Sequence, residues 1–188
     1  MARKLTASAA GVPEHIIQRG NNSKVVIAIE EDMMAYVTWL KDYAKKYNVA
    51  IHAWVLMNNH VQLSCTPSSA SGISQMMQSF EWMCVLYFDR RHQRTGTLWE
   101  RRYRSCLVRE ETYLLELHRY IELNPVTAGM VDEPAGYLWS SYQCNGLGKK
   151  SDLLMPHKLL IALGANADDR QLTYRSLFKT HVVKKICC

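Results

Sequence analysis

Apolar and polar positions change their repeat several times along this chain, and each change marks an element. Residues 14–19 read as a short first strand closing at Gly20, Asn21-Asn22-Ser23 as a turn, and 25–29 as a second extended segment. From 31 to 48 the residues Met34, Val37, Leu40, Tyr43, Ala44 and Tyr47 recur at helical spacing, with Lys41, Asp42, Lys45 and Lys46 outside. In 49–57 the period becomes two: Val49, Ile51, Ala53, Val55 and Met57 alternate with Ala50, His52, Trp54 and Leu56. Asn58-Asn59 supplies a tight turn. The return strand, 60–66, sets Val61, Leu63 and Cys65 against His60, Gln62, Ser64 and Thr66. Such alternation predicts one face against helices and one polar face left open.

A second helix is predicted over 71–91, with Ile73, Met76, Met77, Phe80, Met83, Cys84 and Tyr87 inward. A strand follows over 103–109. The helix predicted over 111–123 buries Leu114, Leu117 and Ile121 and stops before Asn124-Pro125, because a residue preceding proline resists helical geometry. Gly129, Pro134 and Gly136 mark loop, and 137–142 and 149–185 read as peripheral helices and connectors.

Composition narrows the classes. At 188 residues and 48% hydrophobic the chain suits one well-buried domain. No apolar run approaches the roughly 20 residues of a membrane span, and the start lacks an apolar signal core, so a cytoplasmic protein with a flexible lead-in over 1–13 is expected. The six cysteines (65, 84, 106, 144, 187 and 188) show no CxxC spacing and are expected to be thiols, neither a zinc site nor a disulfide framework. The net charge of +6 is unevenly placed: Arg90, Arg91, Arg94, Arg101, Arg102, Arg104 and Arg109 crowd one stretch, with Trp99 and Tyr103 among them. Guanidinium forks match phosphate oxygens and interleaved aromatics can stack on bases, which points to nucleic acid.

Candidate chemistry lies on two elements. His60 and Gln62, at i and i+2 of a strand, share a face; Tyr120 and Asn124, at i and i+4, share a helix face at the edge of the buried stripe. Brought together they would give a nucleophile and three ligands for one ion. Tyrosine is a poor nucleophile near neutral pH, so positioning and a divalent cation must supply most of the effect. An RRM-like RNA binder is less favoured, since such platforms stack bases on strand aromatics and the polar face of 60–66 has none.

Five blocks appear in order: QRGNN (18–22), HAWVLMNNHVQL (52–63), RTGTLWERRYRS (94–105), RYIELNPVTAGMV (119–131) and YLWSSY (137–142). Together they resemble the single-tyrosine HUH transposases, in particular the REP-associated tyrosine transposase branch, over roughly 14–145, leaving 146–188 as a basic extension of short helices. The resemblance implies an α+β fold, an antiparallel sheet with helices packed on one face in an RRM/ferredoxin-like βαββαβ core, which the order of predicted strands and helices fits. It places the attacking tyrosine at Tyr120 and the ligands of Mg2+ or Mn2+ at His60, Gln62 and Asn124. It implies hairpin binding in single-stranded DNA, cleavage beside the hairpin and a 5′-phosphotyrosine link, with a monomer as the expected form. DNA contacts are expected from Arg19, Arg90, Arg91, Arg94, Arg101, Arg102, Tyr103 and Arg104. The chain departs from the family pattern chiefly at Gln62, where the family carries its second histidine, and also at Asn58, Arg101 and Thr127. An amide oxygen can still ligate a hard ion; the alternative reading is a hairpin-binding protein impaired in catalysis.

Overall fold

Val49–Leu56 (β2) and His60–Pro67 (β3) form the hairpin their alternation predicts in the computed structural model, which describes residues 8–21, 25–27, 29–93, 96–109 and 111–179. β1 (Glu14–Arg19) pairs antiparallel with β3, and β4 (Arg104–Leu107) antiparallel with β1, giving the order β2-β3-β1-β4. α1 (Glu30–Lys46) links β1 to β2, and α2 (Gly72–His92) links β3 to β4. This is the βαββαβ arrangement of ferredoxin-like folds, the expected α+β class.

α1 and α2 cover one face. Tyr36, Leu40 and Ala44 of α1, with Met76, Phe80 and Cys84 of α2, bury Ile16, Leu56, Val61, Leu63 and Cys65. The inward stripe of α1 is rotated from the predicted one. Asp32 is fully buried, ion-paired with Arg91 (3.3 Å) and hydrogen-bonded to His92 (2.8 Å) at the end of α2. That anchor turns Met33 and Tyr36 inward and leaves Met34 58% exposed.

The opposite face is also covered. α3 (Glu111–Glu122) lays Leu114, Leu117 and Ile121 on Ala53 and Val55. The polar side of β3 is therefore not open, as its alternation suggested: Gln62 and Ser64 are buried. Their polarity serves internal hydrogen bonds, Ser64 to His118 (3.2 Å) and Gln62 to His15 (2.9 Å), and not solvent.

The strict alternation predicted along 49–57 also breaks. The register runs Ile51↔Cys65 and then Ala53↔Ser64, so His52 is a β-bulge residue. Beyond it the strand changes phase, sending Trp54 and Leu56 to the α1/α2 core and Ala53 and Val55 to α3. Nor do the described residues of 25–29 form a strand: Val26 and Ile27 are buried, and both N–H groups donate to the carbonyl of Asn58. Asn22 and Ser23 of the predicted turn lie outside the described residues.

After α3 the chain resumes as a single turn, α4 (Asn124–Thr127), with Pro125 in its first turn, where a missing N–H costs nothing. A 3-10 turn (Pro134–Gly136), α5 (Tyr142–Asn145), α6 (Lys158–Ile161) and α7 (Ala167–Leu177) follow. The connecting chain covers the outer edge of β2: Leu56 N–H donates to Trp139, Ser141 N–H to Trp54 and Met155 N–H to Ile51. A covered edge offers no template for strand addition. Cys65, Cys84 and Cys144 are thiols. Cys106 is disulfide-bonded, correcting the expectation of thiols throughout; it lies part-buried on the edge strand, whereas Cys65 and Cys84 are enclosed. Cys187, Cys188 and His181 lie outside the described residues. Among the described residues no helix is long and apolar enough to cross a membrane.

Candidate active site

β3 sends His60, Gln62 and Ser64 toward α3, and the last turn of α3 brings Tyr120, with Asn124 one turn later at the start of α4. The two pairs meet. Asn124 Oδ1 lies 3.0 Å from Gln62 Nε2 and 3.4 Å from His60 Nε2, and Asn124 Nδ2 donates to the Tyr120 carbonyl oxygen at 2.8 Å. Tyr120 and Asn124 are half-buried, at the rim of the Leu114–Leu117–Ile121 stripe. Ligands at right angles around an octahedral cation, each about 2.1 Å from it, stand about 3 Å apart, so His60 Nε2 and Asn124 Oδ1, 3.4 Å apart, have the spacing to share one. Among the described residues no group of three His, Cys, Asp or Glu side chains is arranged for a metal; this donor set is one imidazole and two amides, electrically neutral.

His60 is oriented from behind. Its Nδ1 sits 2.8 Å from Asn59 Oδ1, which directs Nε2 toward Asn124. Burial lowers its pKa, the Asn124 contact raises it, and nearby Arg19 lowers it further, favouring the neutral ring a ligand requires.

One residue here is not among the sequence candidates. His15 on β1 is buried, lies 2.9 Å from Gln62 Oε1 through Nε2, and sets its ring at 85° to Tyr120, centroids 6.1 Å apart. Burial pulls its pKa down to about 4, partly offset by the Gln62 contact. Its lone spacing in the sequence carries no metal signature; only the β1–β3 register, which places Ile17 opposite Gln62 and His15 opposite Ser64, brings it to the site.

The arginines fall in two settings. Arg19 pairs with His60 across β1–β3, and Arg104 pairs with Ile17, itself opposite Gln62. Directly opposed residues share a sheet face, so Arg19 and Arg104, both exposed, stand on the side of the site. Arg101 and Arg102 are exposed on the approach to β4, and Tyr103 is half-buried behind them. Tyr103, Arg102, Trp99, Trp82 and Glu81 line a cavity of about 800 Å3 on the α2 side. Arg90 is exposed at the end of α2, while Arg91 holds Asp32 and lies 5.8 Å over the Tyr87 ring. Arg94 lies outside the described residues.

The same end of α3 is anchored by the C-terminal segment. Glu122, fully buried, accepts hydrogen bonds from the Ser141 hydroxyl, from Asn145 Nδ2 (3.0 Å) and from the Tyr174 hydroxyl of α7 (2.8 Å). Burial pushes its carboxyl up to about 7, against the three donors.

One solved structure, of a REP-associated tyrosine transposase bound to a REP hairpin, superposes with a TM-score of 0.61 over 84% of this chain and 93% of its own, at 15% identity. A crystal structure of a candidate transposase from Deinococcus radiodurans R1 is similar at 20% identity, over 64% of this chain and 95% of its own, with a TM-score of 0.44. No curated protein matches the sequence. The model of the family "Transposase IS200 like" matches residues 10–124, which hold the whole βαββαβ core and end on Asn124; the chain belongs to the IS200-like transposases.

Proposed function

We propose that the protein is a metal-dependent endonuclease and strand transferase acting on single-stranded DNA beside REP-like hairpins, with Tyr120 as its nucleophile. The observation that carries the reading is the convergence of His60, Gln62 and Asn124 at the turn of α3 that bears Tyr120, inside a chain of this family. A bound Mg2+ or Mn2+ would offset charge on the scissile phosphate and polarise one of its oxygens. His60 Nε2, Gln62 Oε1 and Asn124 Oδ1 would hold it. The Tyr120 oxygen attacks phosphorus and loses its proton; the bond from phosphorus to the 3′ oxygen breaks, leaving a 3′-hydroxyl and a 5′-phosphotyrosine. Attack by another 3′-hydroxyl reverses the step and joins new strands. Arg19 and Arg104, on the face of the site, are suited to the phosphates flanking the cut, and Arg101, Arg102 and Tyr103 to the hairpin stem. The proposal includes action as a monomer, with Tyr120, His60, Gln62 and Asn124 all used in cis.

The test is a denaturing gel of the protein with labelled hairpin-bearing single-stranded DNA and Mn2+ or Mg2+, beside Tyr120→Phe. The expected result is a metal-dependent covalent adduct that disappears in Tyr120→Phe, while hairpin affinity stays within about twofold. An adduct that survives the substitution would move the nucleophile elsewhere. Tight binding with no adduct from the wild type would favour a hairpin-binding protein that has lost turnover.

A further inference from the structure

The hydrogen bonds around Gln62 form a chain whose polarity is fixed at one end. The Tyr120 carbonyl oxygen can only accept, so the Asn124 group facing it, at 2.8 Å, is the NH2. Asn124 therefore presents Oδ1 to the site. The Gln62 group 3.0 Å from that oxygen must donate, which makes it the Gln62 NH2. Gln62 Oε1 is then turned away from the site and toward His15 Nε2, 2.9 Å distant, and this ring nitrogen must carry the proton. Amide ends and ring tautomers are thus set by an acceptor that cannot reverse.

This orientation is the wrong one for a metal ligand. Gln62 aims its NH2, which cannot ligate, at the place where His60 and Asn124 converge. To present Oε1 the amide must turn over, and its NH2 then faces His15. Two donors would oppose each other unless the ring also changes.

We propose that His15 is a positioning residue that switches tautomer, with its proton on Nε2 when the site is without metal and on Nδ1 when it is loaded, so that Gln62 can turn its oxygen onto the cation. The ring is uncharged in both states: as the ion enters, solvent water takes the Nε2 proton and returns one to Nδ1, with no change in total. The inference rests on the metal-site reading above. It explains how a chain carrying glutamine at position 62 keeps a usable ligand: the amide needs a neighbour that can accept as well as donate, and neutral imidazole is such a group. Burial suits the role, since His15 and Gln62 are 1% and 3% exposed and water cannot readily substitute for either partner.

The experiment is nitrogen-15 NMR of the histidine-labelled full chain, without metal and with saturating Mg2+, with Mn2+ added separately to broaden signals near the bound ion. Expected is an Nε2-protonated His15 without metal, an Nδ1-protonated His15 with Mg2+, and broadening of His60 and His15 by Mn2+. Broadening at His60 with His15 still Nε2-protonated in Mg2+ would overturn this inference alone. No broadening at His60 at any Mn2+ concentration would overturn the metal-site reading itself, and the inference with it. Variants give an independent readout by calorimetric Mn2+ titration. His15→Phe removes the acceptor and should weaken Mn2+ binding about 10- to 100-fold, the usual effect of losing a partner that orients a ligand. His15→Gln, whose amide can offer either end, should restore affinity to within a few-fold; equal weakening in both variants would leave His15 a packing residue only.

Discussion

An amide has one end that binds cations and one that repels them, and under the proposed metal site that asymmetry sets what Gln62 can do. Gln62→His removes the donor end and offers a nitrogen that suits transition metals better than Mg2+. Calorimetric titration should therefore show Mn2+ affinity rising about tenfold or more, with Mg2+ changed much less. Equal gains for both ions would mean that position 62 is not a ligand. Tyr120 and Asn124 were legible from sequence because helical period places both at the edge of the Leu114–Leu117–Ile121 stripe, and all three stripe residues are buried. His15 was not legible. Its approach to Gln62 depends on the pairing of two strands 47 residues apart, and single-chain periodicity holds no register.

At the scale of elements, α3 is the part on which the candidate site depends, and part of its restraint comes from outside the family-matched region. Tyr174 on α7 donates to Glu122, two residues beyond Tyr120. Tyr174→Phe keeps the ring but removes that bond, which should cost about 1–3 kcal/mol for a buried group, read by urea unfolding. Adduct formation should fall further than hairpin binding; equal losses would make α7 a stabiliser of the whole fold and not of the tyrosine. The strand and helix order followed from sequence, but two phases did not. Burial of Asp32 against Arg91 and His92 rotates α1, and the bulge at His52 reverses the faces of β2; both depend on partners distant in sequence. The polar side of β3 was misjudged for the same reason, since alternation cannot tell solvent from a buried hydrogen-bonded partner such as His118.

The molecule as a whole keeps several histidines neutral. Burial pulls His15 and His52 down to about 4 and His118 to about 3, against 6.5 in an unfolded chain. Between those values the unfolded chain binds more protons, so these residues lend stability that is present above pH 6.5 and lost as pH falls. Glu81 and Glu122, raised to about 7 from 4.5, act in the opposite sense, favouring the fold below pH 4.5 and less so as pH rises to 7. In the metal-free protein the two sets partly cancel between pH 4.5 and 6.5, and below that window the histidines dominate. His118→Asn should remove about 1.4 kcal/mol of slope per pH unit from urea-derived stability between pH 6 and 4; an unchanged slope would place the acid sensitivity elsewhere. The anchoring of Glu122 carries a further consequence for strand transfer. With α3 tied through Glu122 to Ser141, Asn145 and Tyr174 of its own chain, a nucleophilic Tyr120 would be the stationary partner and DNA ends the traffic. Under the proposed function, a covalently held strand would wait where it was cut and its successor would have to be delivered there, so exchange would be paced by how quickly strands leave and arrive and not by a swing of the protein.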